Sequence, residues 1–359
     1  MRKLAWASMV ALAMAWGCSV QVEANKGADE PSFSTGSGYG VSSSASGGAD
    51  DADGTGPGEN PSGGGEPQAG QLTAGVWDDN RNFEFFQDYL AKHADDEGRL
   101  DFTKDEVEAA HARSLVPSDG HATLDVAIVI DTTGSMGDEL AYLKSEVKAI
   151  SEHIAERYPK AEQRWALVAY RDVGDEYVVL PSDFAKPAAF GASLAALEVN
   201  GGGDTPEAPD AALEKTAELT WRGGDTARLV FWIADAPHHV GKAQKLAGAM
   251  RALAAKDAHV YPVASSGVDD LAELAMRTSA QLTNGRYLFL TDDSGIGGEH
   301  KEPEIPCYFV TRLDRAIERM VDIEMSGDYL APAAADILRT GGDPQDGKCV
   351  LDTQEVQIF

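Results

Sequence analysis

The stretch LDVAIVIDTTGSMG, residues 124–137, decides the fold that this sequence predicts. It holds an uninterrupted apolar run at residues 126–130, which is typical of a strand buried on both faces. The run ends at Asp131, and apolar residues spaced by three and four positions begin shortly after Ser135, which predicts a helix. An acidic residue and three hydroxyls therefore occupy a strand-to-helix turn. In an open α/β sheet, such turns lie at the edge where ligands bind.

Strands and helices alternate from this stretch onwards. A second fully apolar run, LVFWIA at residues 229–234, also ends on an aspartate, Asp235. A short turn at residues 172–175 suits a hairpin, so the strand after it should be antiparallel to the strand before it. The predicted strands are residues 125–130, 165–170, 176–180, 229–234, 260–264 and 286–290, and the predicted helices are residues 136–157, 188–197, 206–219, 242–256, 268–280 and 309–325. We therefore expect an α/β fold with a doubly wound, mostly parallel six-stranded sheet, one antiparallel edge strand and helices on both faces.

The charge balance disfavours one class of partner. The 359 residues include 59 Asp and Glu against 30 Lys and Arg, which gives a formal net charge of -29 at pH 7. Affinity for nucleic acid comes mainly from neutralising phosphates, so we expect no nucleic-acid partner. The acidity suits a soluble surface and the binding of cations.

The first residues predict export. Arg2 and Lys3 precede an apolar segment at residues 4–16 that is too short to span a bilayer. Residues 15–18, AWGC, resemble a bacterial lipobox, in which cleavage leaves Cys18 as the lipidated first residue; secretion with a nearby cleavage site is the alternative. Ser19 in the next position resembles lipoproteins sorted to an outer membrane. We therefore expect an outer-membrane lipoprotein, on the periplasmic or the surface side, that contacts the membrane only through its anchor.

Composition divides the rest of the chain. Residues 19–70 are rich in Gly, Ser and Asp and predict a disordered linker. Residues 71–118 contain many aromatic residues and predict a small helical extension, residues 119–326 form the predicted α/β domain, and residues 327–359 form a tail. Cys307 and Cys349 are expected to form a disulfide in an oxidising compartment, which would tie the tail to the start of the last helix.

Oxygen donors lie on three loops of the predicted domain. Asp131, Thr133 and Ser135 follow the first strand, Thr205 lies in a glycine-rich loop, and Asp235 follows the fourth strand. Carboxylates and hydroxyls without thiolate or imidazole suit a hard divalent cation, Mg²⁺ first, with Mn²⁺ and Ca²⁺ as alternatives. Each residue alone could instead cap a helix. Their order along the chain favours one shared cation, with water and an outside ligand completing its shell.

These five donors give the chain a specific resemblance. DTTGS at residues 131–135, then Thr205, then Asp235 resemble the metal-ion-dependent adhesion site of von Willebrand factor A domains, whose pattern is Asp-x-Ser-x-Ser, then Thr, then Asp. Thr133 stands where Ser is commoner and keeps the hydroxyl. The resemblance covers about residues 124–325 and includes the order of the predicted elements.

The resemblance implies both a topology and a ligand set. It implies a Rossmann-like sheet with strand order 3-2-1-4-5-6, in which the first and fourth strands are neighbours. It also implies direct coordination of the cation by Thr133, Ser135 and Thr205, and coordination by Asp131 and Asp235 either directly or through water. An acidic side chain of a protein partner would complete the shell.

Two other functions stay open. A metal could serve only to stabilise the loops, without meeting a partner. A metal-dependent hydrolase is the second alternative, but no nucleophile–base pair can be assembled, because no His-Gly-Thr or Gly-Thr-Ser motif completes a subtilisin-like triad. His238 and His239 are adjacent, a spacing that does not turn two rings onto one zinc ion, so we expect them on the rim of the metal face or on the surface. We therefore expect an envelope-anchored, cation-dependent protein-binding module and not an enzyme.

Overall fold

The computed structural model describes residues 66–202, 205–351 and 354–359. The predicted signal segment at residues 1–18, with Cys18, and the linker up to residue 65 lie outside the described residues. Within the described part, no helix is both long enough and apolar enough to cross a membrane.

The described residues form a nine-stranded sheet, a two-stranded ribbon and flanking α-helices. The strands of the sheet are β1 (Thr73–Trp77), β2 (Thr123–Asp131), β3 (Gln163–Tyr170), β4 (Val179–Ala185), β5 (Thr226–Ala234), β6 (His259–Ala264), β7 (Tyr287–Leu290), β8 (Tyr308–Arg312) and β9 (Arg339–Gly341). The ribbon consists of β10 (Lys348–Val350) and β11 (Glu355–Gln357). The helices are α1 (Phe83–Lys92), α2 (Lys104–Ser114), α3 (Gly137–Arg157), α4 (Pro187–Ala195), α5 (Pro209–Ala217), α6 (Ala243–Ala254), α7 (Asp270–Leu282) and α8 (Leu313–Ser326).

The order of the strands confirms the predicted fold class. The sheet order is β4-β3-β2-β5-β6-β7-β1-β8-β9. Strands β3, β2, β5, β6 and β7 pair in parallel, and β4 is antiparallel to β3. In the numbering of the six predicted strands, the first six positions of this order are 3-2-1-4-5-6. A doubly wound, largely parallel α/β fold with an antiparallel strand at this edge was therefore correctly predicted.

Burial explains why the two apolar runs form the centre of the sheet. Every residue of β5 is buried, and so is every residue of β2 after Thr123. Helices α3, α4 and α8 pack together on one side of the sheet, while α2, α5, α6 and α7 pack together on the other. Strands covered on both faces need apolar side chains at successive positions, and the sequence supplies them.

The predicted number of six strands is wrong, because β1, β8 and β9 extend the sheet beyond β7 with antiparallel pairing. Residues 71–118, predicted as a helical extension, therefore contribute a buried strand between β7 and β8 as well as helices α1 and α2. The last helix begins at Leu313 and not at residue 309, since Tyr308–Arg312 is a strand. Strands this short have little local signal, so pairing with distant partners decides their structure.

The C-terminal tail is fixed to the domain at several points. A disulfide joins Cys307, next to β8, to Cys349 in β10, with their Cα atoms 6.3 Å apart. The buried side chain of Val356 and the packing of Phe359 on Phe309, with ring centroids 5.8 Å apart, hold the rest of the ribbon. The tail is thus tied to β8, immediately before the last long helix.

Candidate functional site

Two neighbouring parallel strands bring the predicted carboxylates to one edge of the sheet. Strand β2 ends on Asp131, and Asp235 directly follows the end of β5. The two strands are in register, with Ile130 opposite Ile233. Their carboxyl ends therefore lie side by side at the point where the order of strands along the chain reverses, which is where ligands bind in open α/β sheets.

Asp131 is oriented by the turn that follows it. Its Oδ1 accepts hydrogen bonds from the backbone N–H of Thr133 at 2.9 Å and from the Thr133 hydroxyl at 2.7 Å. The Thr133 Oγ1 lies 3.3 Å from Ser135 Oγ. Asp131 and Thr133 are buried, whereas Ser135 is exposed. Three predicted donors thus form a continuous row of oxygens that runs from the protein interior to its surface.

The surroundings of the two aspartates disfavour their negatively charged forms. Burial, reinforced by the negative charge of Asp235, raises the pKa of Asp131 to about 7. Burial also raises the pKa of Asp235 to about 6; the Ser135 hydroxyl opposes this shift and the charge of Glu139 adds to it. Asp131 Oδ2 and Asp235 Oδ1 are buried and have no hydrogen-bond partner among the described residues. A cation between them would neutralise both charges and satisfy both oxygens.

The glycine-rich loop lies against the turn after β2. Gly134 N–H donates to the carbonyl of Gly201 at 3.1 Å, and Asn200 N–H donates to the carbonyl of Thr132 at 3.1 Å. Gly202 has a φ of +69°, and a Cβ there would lie 3.0 Å from Thr133 Cβ, so the close approach and the backbone conformation both require glycine. The loop therefore approaches the candidate site without a side chain in between.

Thr205 has no hydrogen bond to the other predicted donors among the described residues. It is exposed and lies two residues before the buried Glu207, on the loop that reaches the site. Within residues 66–202 and 205–351, no hydrogen bond joins its hydroxyl to Asp131, Thr133 or Asp235. The structure thus brings three predicted ligands into contact and sets Asp235 on the adjacent strand end, while Thr205 is an exposed residue of the neighbouring loop.

Glu207 is a candidate site residue that the sequence reasoning missed. Its side chain is buried, and its Oε2 has no hydrogen-bond partner among the described residues. Burial, with the charges of Asp131, Asp172, Asp235 and Asp175 adding to it, raises the pKa of Glu207 to about 9. Its backbone N–H donates to the carbonyl of Pro237 at 2.9 Å, which joins this loop to the segment that follows Asp235. An acidic residue close behind Thr205 was the only signal in the sequence.

The donor set limits the kind of metal that could bind. Among the described residues, no three His, Cys, Asp or Glu side chains form a group that could hold a metal ion by themselves. A cation at this edge would therefore depend on the hydroxyls of Thr133 and Ser135 and on water as well as on the two aspartates. Mixed hydroxyl, carboxylate and water coordination is typical of Mg²⁺, and zinc would require imidazole or thiolate.

The two histidines after Asp235 do not form a site of their own. His238 is buried, and its Nε2 lies 2.7 Å from the carbonyl oxygen of Gly98. His239 Nε2 lies 2.6 Å from Asp172 Oδ1, which links the loop after β5 to the loop after β3. The expectation that both histidines lie on the rim or the surface is therefore wrong for His238, because the loop between α1 and α2 covers it.

The chain is similar to proteins of one family over this region. Residues 125–295 match the family model of the von Willebrand factor A domain. An ariadne-like RING finger protein of Acanthamoeba polyphaga mimivirus is 29% identical over 191 residues, which are 48% of this chain and 19% of that protein. Hemicentin-2 of Mus musculus is 34% identical over 110 residues, which are 31% of this chain and 2% of that protein. The chain thus spans only a small part of either relative.

A solved structure is also similar. The crystal structure of the conserved hypothetical protein BatB from Bacteroides thetaiotaomicron aligns with a TM-score of 0.39 and 13% sequence identity, covering 56% of this chain and 98% of BatB. The residues that match the family model include β2 from residue 125 and all of β3 to β7, and hence all five predicted donors. The match to the family model supports a von Willebrand factor A domain at residues 125–295.

Proposed function

We propose that the von Willebrand factor A domain at residues 125–295 binds a divalent cation, and through it an acidic side chain of a protein partner. The ligands would be Asp131, Thr133, Ser135, Thr205 and Asp235. The observation that supports the proposal most directly is the pair of buried carboxylate oxygens, Asp131 Oδ2 and Asp235 Oδ1, that lack a partner within the described residues. Buried charges are otherwise paired or bound to metals.

The chemistry of the donors favours Mg²⁺ over Ca²⁺, with Mn²⁺ as an alternative. Two carboxylates and small hydroxyls provide fewer protein ligands than Ca²⁺ normally takes, whereas Mg²⁺ is commonly bound by one or two carboxylates and keeps several waters. The exposed Ser135 marks the side of the site that faces solvent. A water on that side is the position that a partner's carboxylate would take.

Binding of a partner through a carboxylate would depend strongly on the cation. The chain has a net charge of -29, so an acidic surface would be repelled without the metal. With the metal bound, the local charge favours the same carboxylate. Binding would therefore be lost when the metal is chelated. The negative charge of the protein would also reduce its non-specific association with other acidic proteins.

The metal part of the proposal is tested by titration calorimetry and thermal unfolding in Mg²⁺ and in EDTA. Mg²⁺ is expected to raise the unfolding temperature of the wild type and not that of Asp131→Asn. Asp119→Asn is the matched control, because it removes one exposed carboxylate just before the amino end of β2, far from the site. Equal Mg²⁺ affinity in all three proteins would show that the aspartate does not bind the cation.

The partner part is tested with Mn²⁺ as a paramagnetic probe. An open coordination position would hold a fast-exchanging water, so Mn²⁺-loaded protein should strongly enhance water proton relaxation. A glutamate-containing peptide is expected to reduce that enhancement, and its glutamine counterpart should not. A bound Mn²⁺ with no exchanging water would assign the metal a purely structural role instead.

A further inference from the structure

A cavity of about 800 Å³ lies at the edge of the sheet opposite the candidate cation site. Its walls include His121 before β2, His259 at the start of β6 and Arg286 before β7, together with the end of α8. These are the amino ends of the parallel strands. The volume lies within the range of small-molecule pockets.

The acidic side chains of this cavity are already neutralised by its walls. Asp78 Oδ1 accepts the backbone N–H groups of Asn80 and Arg81, and its Oδ2 accepts Arg286 Nε at 2.9 Å. Glu324 Oε1 lies 3.0 Å from His259 Nδ1. Asp257, the third carboxylate on the wall, lies 3.5 Å from the other ring nitrogen of His259 and 3.7 Å from Arg228.

Two arginines of the cavity have no acidic partner within the described residues. The Arg81 guanidinium lies 3.8 Å from the centroid of the Tyr329 ring, and its Nη2 donates to Gln357 Oε1 at 2.6 Å. Arg113 Nη2 donates to the carbonyl of Leu282 at 2.9 Å. Neutral acceptors and an aromatic face thus orient both guanidiniums and leave their charges uncompensated.

An apolar patch adjoins the two arginines. Leu115 and Val116 follow Arg113 after one intervening residue, line the same cavity, and are 67% and 68% exposed. Single exposed apolar residues are common, but two successive ones beside a cavity offer an aliphatic ligand surface to cover. The cavity therefore combines uncompensated positive charge with exposed aliphatic side chains.

We propose that this cavity binds an organic anion, with its carboxylate or phosphate held by Arg81 and Arg113 and its aliphatic part against Leu115 and Val116. Guanidinium groups bind both kinds of anion through paired hydrogen bonds, and a guanidinium already oriented by stacking loses little freedom on binding. The site is distinct from the cation site in position and in the sign of the charge that it selects. It does not depend on a metal.

The test measures binding of octanoate and octyl phosphate by calorimetry in EDTA, with octan-1-ol and inorganic phosphate as partial ligands. Both amphiphilic anions are expected to bind at least about tenfold more tightly than either partial ligand. The double variant Arg81→Gln/Arg113→Gln should weaken their binding at least about tenfold. Leu115→Ser/Val116→Ser should reduce the preference for the octyl chain. Arg99→Gln, which changes an exposed arginine outside the cavity, is the matched control.

An experiment with lipid vesicles distinguishes a lipid headgroup from a free anion as the ligand. Co-sedimentation with phosphatidylglycerol vesicles that is lost in the arginine variant would identify a lipid headgroup as the ligand. Binding of the soluble amphiphiles without co-sedimentation would identify a free anion. The proposal is overturned if neither amphiphile binds, if octan-1-ol binds as tightly as octanoate, or if Arg81→Gln/Arg113→Gln binds like Arg99→Gln. All variants alter exposed side chains, and circular dichroism would verify that they are folded.

Discussion

Thr133 links the buried and the exposed donors of the candidate cation site. Its hydroxyl donates to Asp131 and lies within 3.3 Å of Ser135 Oγ. The backbone N–H of Thr133 holds the same carboxylate oxygen at 2.9 Å. The hydroxyl can therefore be removed while the backbone still orients Asp131. This makes Thr133 the residue at which coordination can be separated from local structure.

Thr133→Val is expected to weaken Mg²⁺ binding by at least about tenfold, because a methyl group would replace a ligand oxygen in a side chain of nearly the same shape. Thr133→Ser keeps the hydroxyl and should bind Mg²⁺ like the wild type. Calorimetric titration of the three proteins measures the difference. If the valine variant bound Mg²⁺ as tightly as the serine variant, Thr133 would not be a ligand.

A second pair of residues gives the protein a predicted pH dependence. Burial acts to lower the pKa of His259, but the charge of Glu324 and the hydrogen bonds that His259 donates to Asp257 and Glu324 outweigh it and raise the pKa to about 9. Burial acts in the opposite sense on Glu324, and the His259 charge outweighs it there, lowering the pKa of Glu324 to about 2. The stabilisation from the raised histidine is complete below its unfolded pKa of about 6.5 and is lost as the pH rises through 9.

Glu324→Gln should therefore lower the free energy of unfolding most near pH 6 and less near pH 9.5. The free energy of unfolding of the variant is expected to lie roughly 2–3 kcal/mol below that of the wild type at the lower pH, with the gap shrinking as His259 deprotonates. Urea unfolding at both pH values measures it, and the exposed Glu84→Gln serves as the control. A gap that stayed constant from pH 6 to 9.5 would contradict the assignment of the pair.

At the scale of elements, burial on both faces made the central strands predictable. Strands β2 and β5 show continuous apolar runs, and each is followed at its carboxyl end by a short polar turn, so local sequence was sufficient. Strands β1 and β8 were not predictable, because five residues between two antiparallel neighbours are defined by pairing across more than 200 positions of the chain. Glu207 was missed for a similar reason, since its backbone is paired with Pro237 and His238, which follow another strand.

Gly75 shows how β1 depends on a distant partner. The strand lies between β7 and β8, and a Cβ at Gly75 would lie 2.1 Å from Cζ of Phe289, which is buried in β7. Neither the backbone nor the buried ring can move far in a packed sheet. The close approach therefore requires glycine at this position, although glycine weakens the strand signal in the sequence.

Gly75→Ala is accordingly expected to destabilise the protein by roughly 1–3 kcal/mol through overpacking. Gly223→Ala is the matched control, because nothing lies within 4 Å of a Cβ at that position. Chemical denaturation of both variants gives the comparison. Equal stability of the two would mean that Phe289 can rearrange at no cost and that β1 does not fix the position of the ring.

At the scale of the molecule, the two proposed sites lie at opposite edges of the sheet and would select opposite charges. Unpartnered carboxylate oxygens mark the carboxyl edge, and uncompensated arginines mark the amino edge, both within the described residues. Buried strands, among them β2 and β5, separate the two edges. The two sites should therefore bind independently, so a ligand at one edge leaves the affinity at the other unchanged. This independence lets the chelation test and the amphiphile test be read separately on one protein.

The residues before the described part predict how the molecule is held in its compartment. AWGC at residues 15–18 resembles a lipobox, so Cys18 is expected to receive lipid. Cys18→Ser should therefore move the full chain from the membrane fraction to the soluble fraction in a bacterial host, as shown by fractionation and immunoblotting. Ser19→Asp is the matched control, since it keeps the cysteine and should change the membrane in which the protein is retained without releasing it. If Cys18→Ser stayed in the membrane fraction, the anchor would have to be sought elsewhere in the chain, and cleavage near residue 18 would not lead to lipidation.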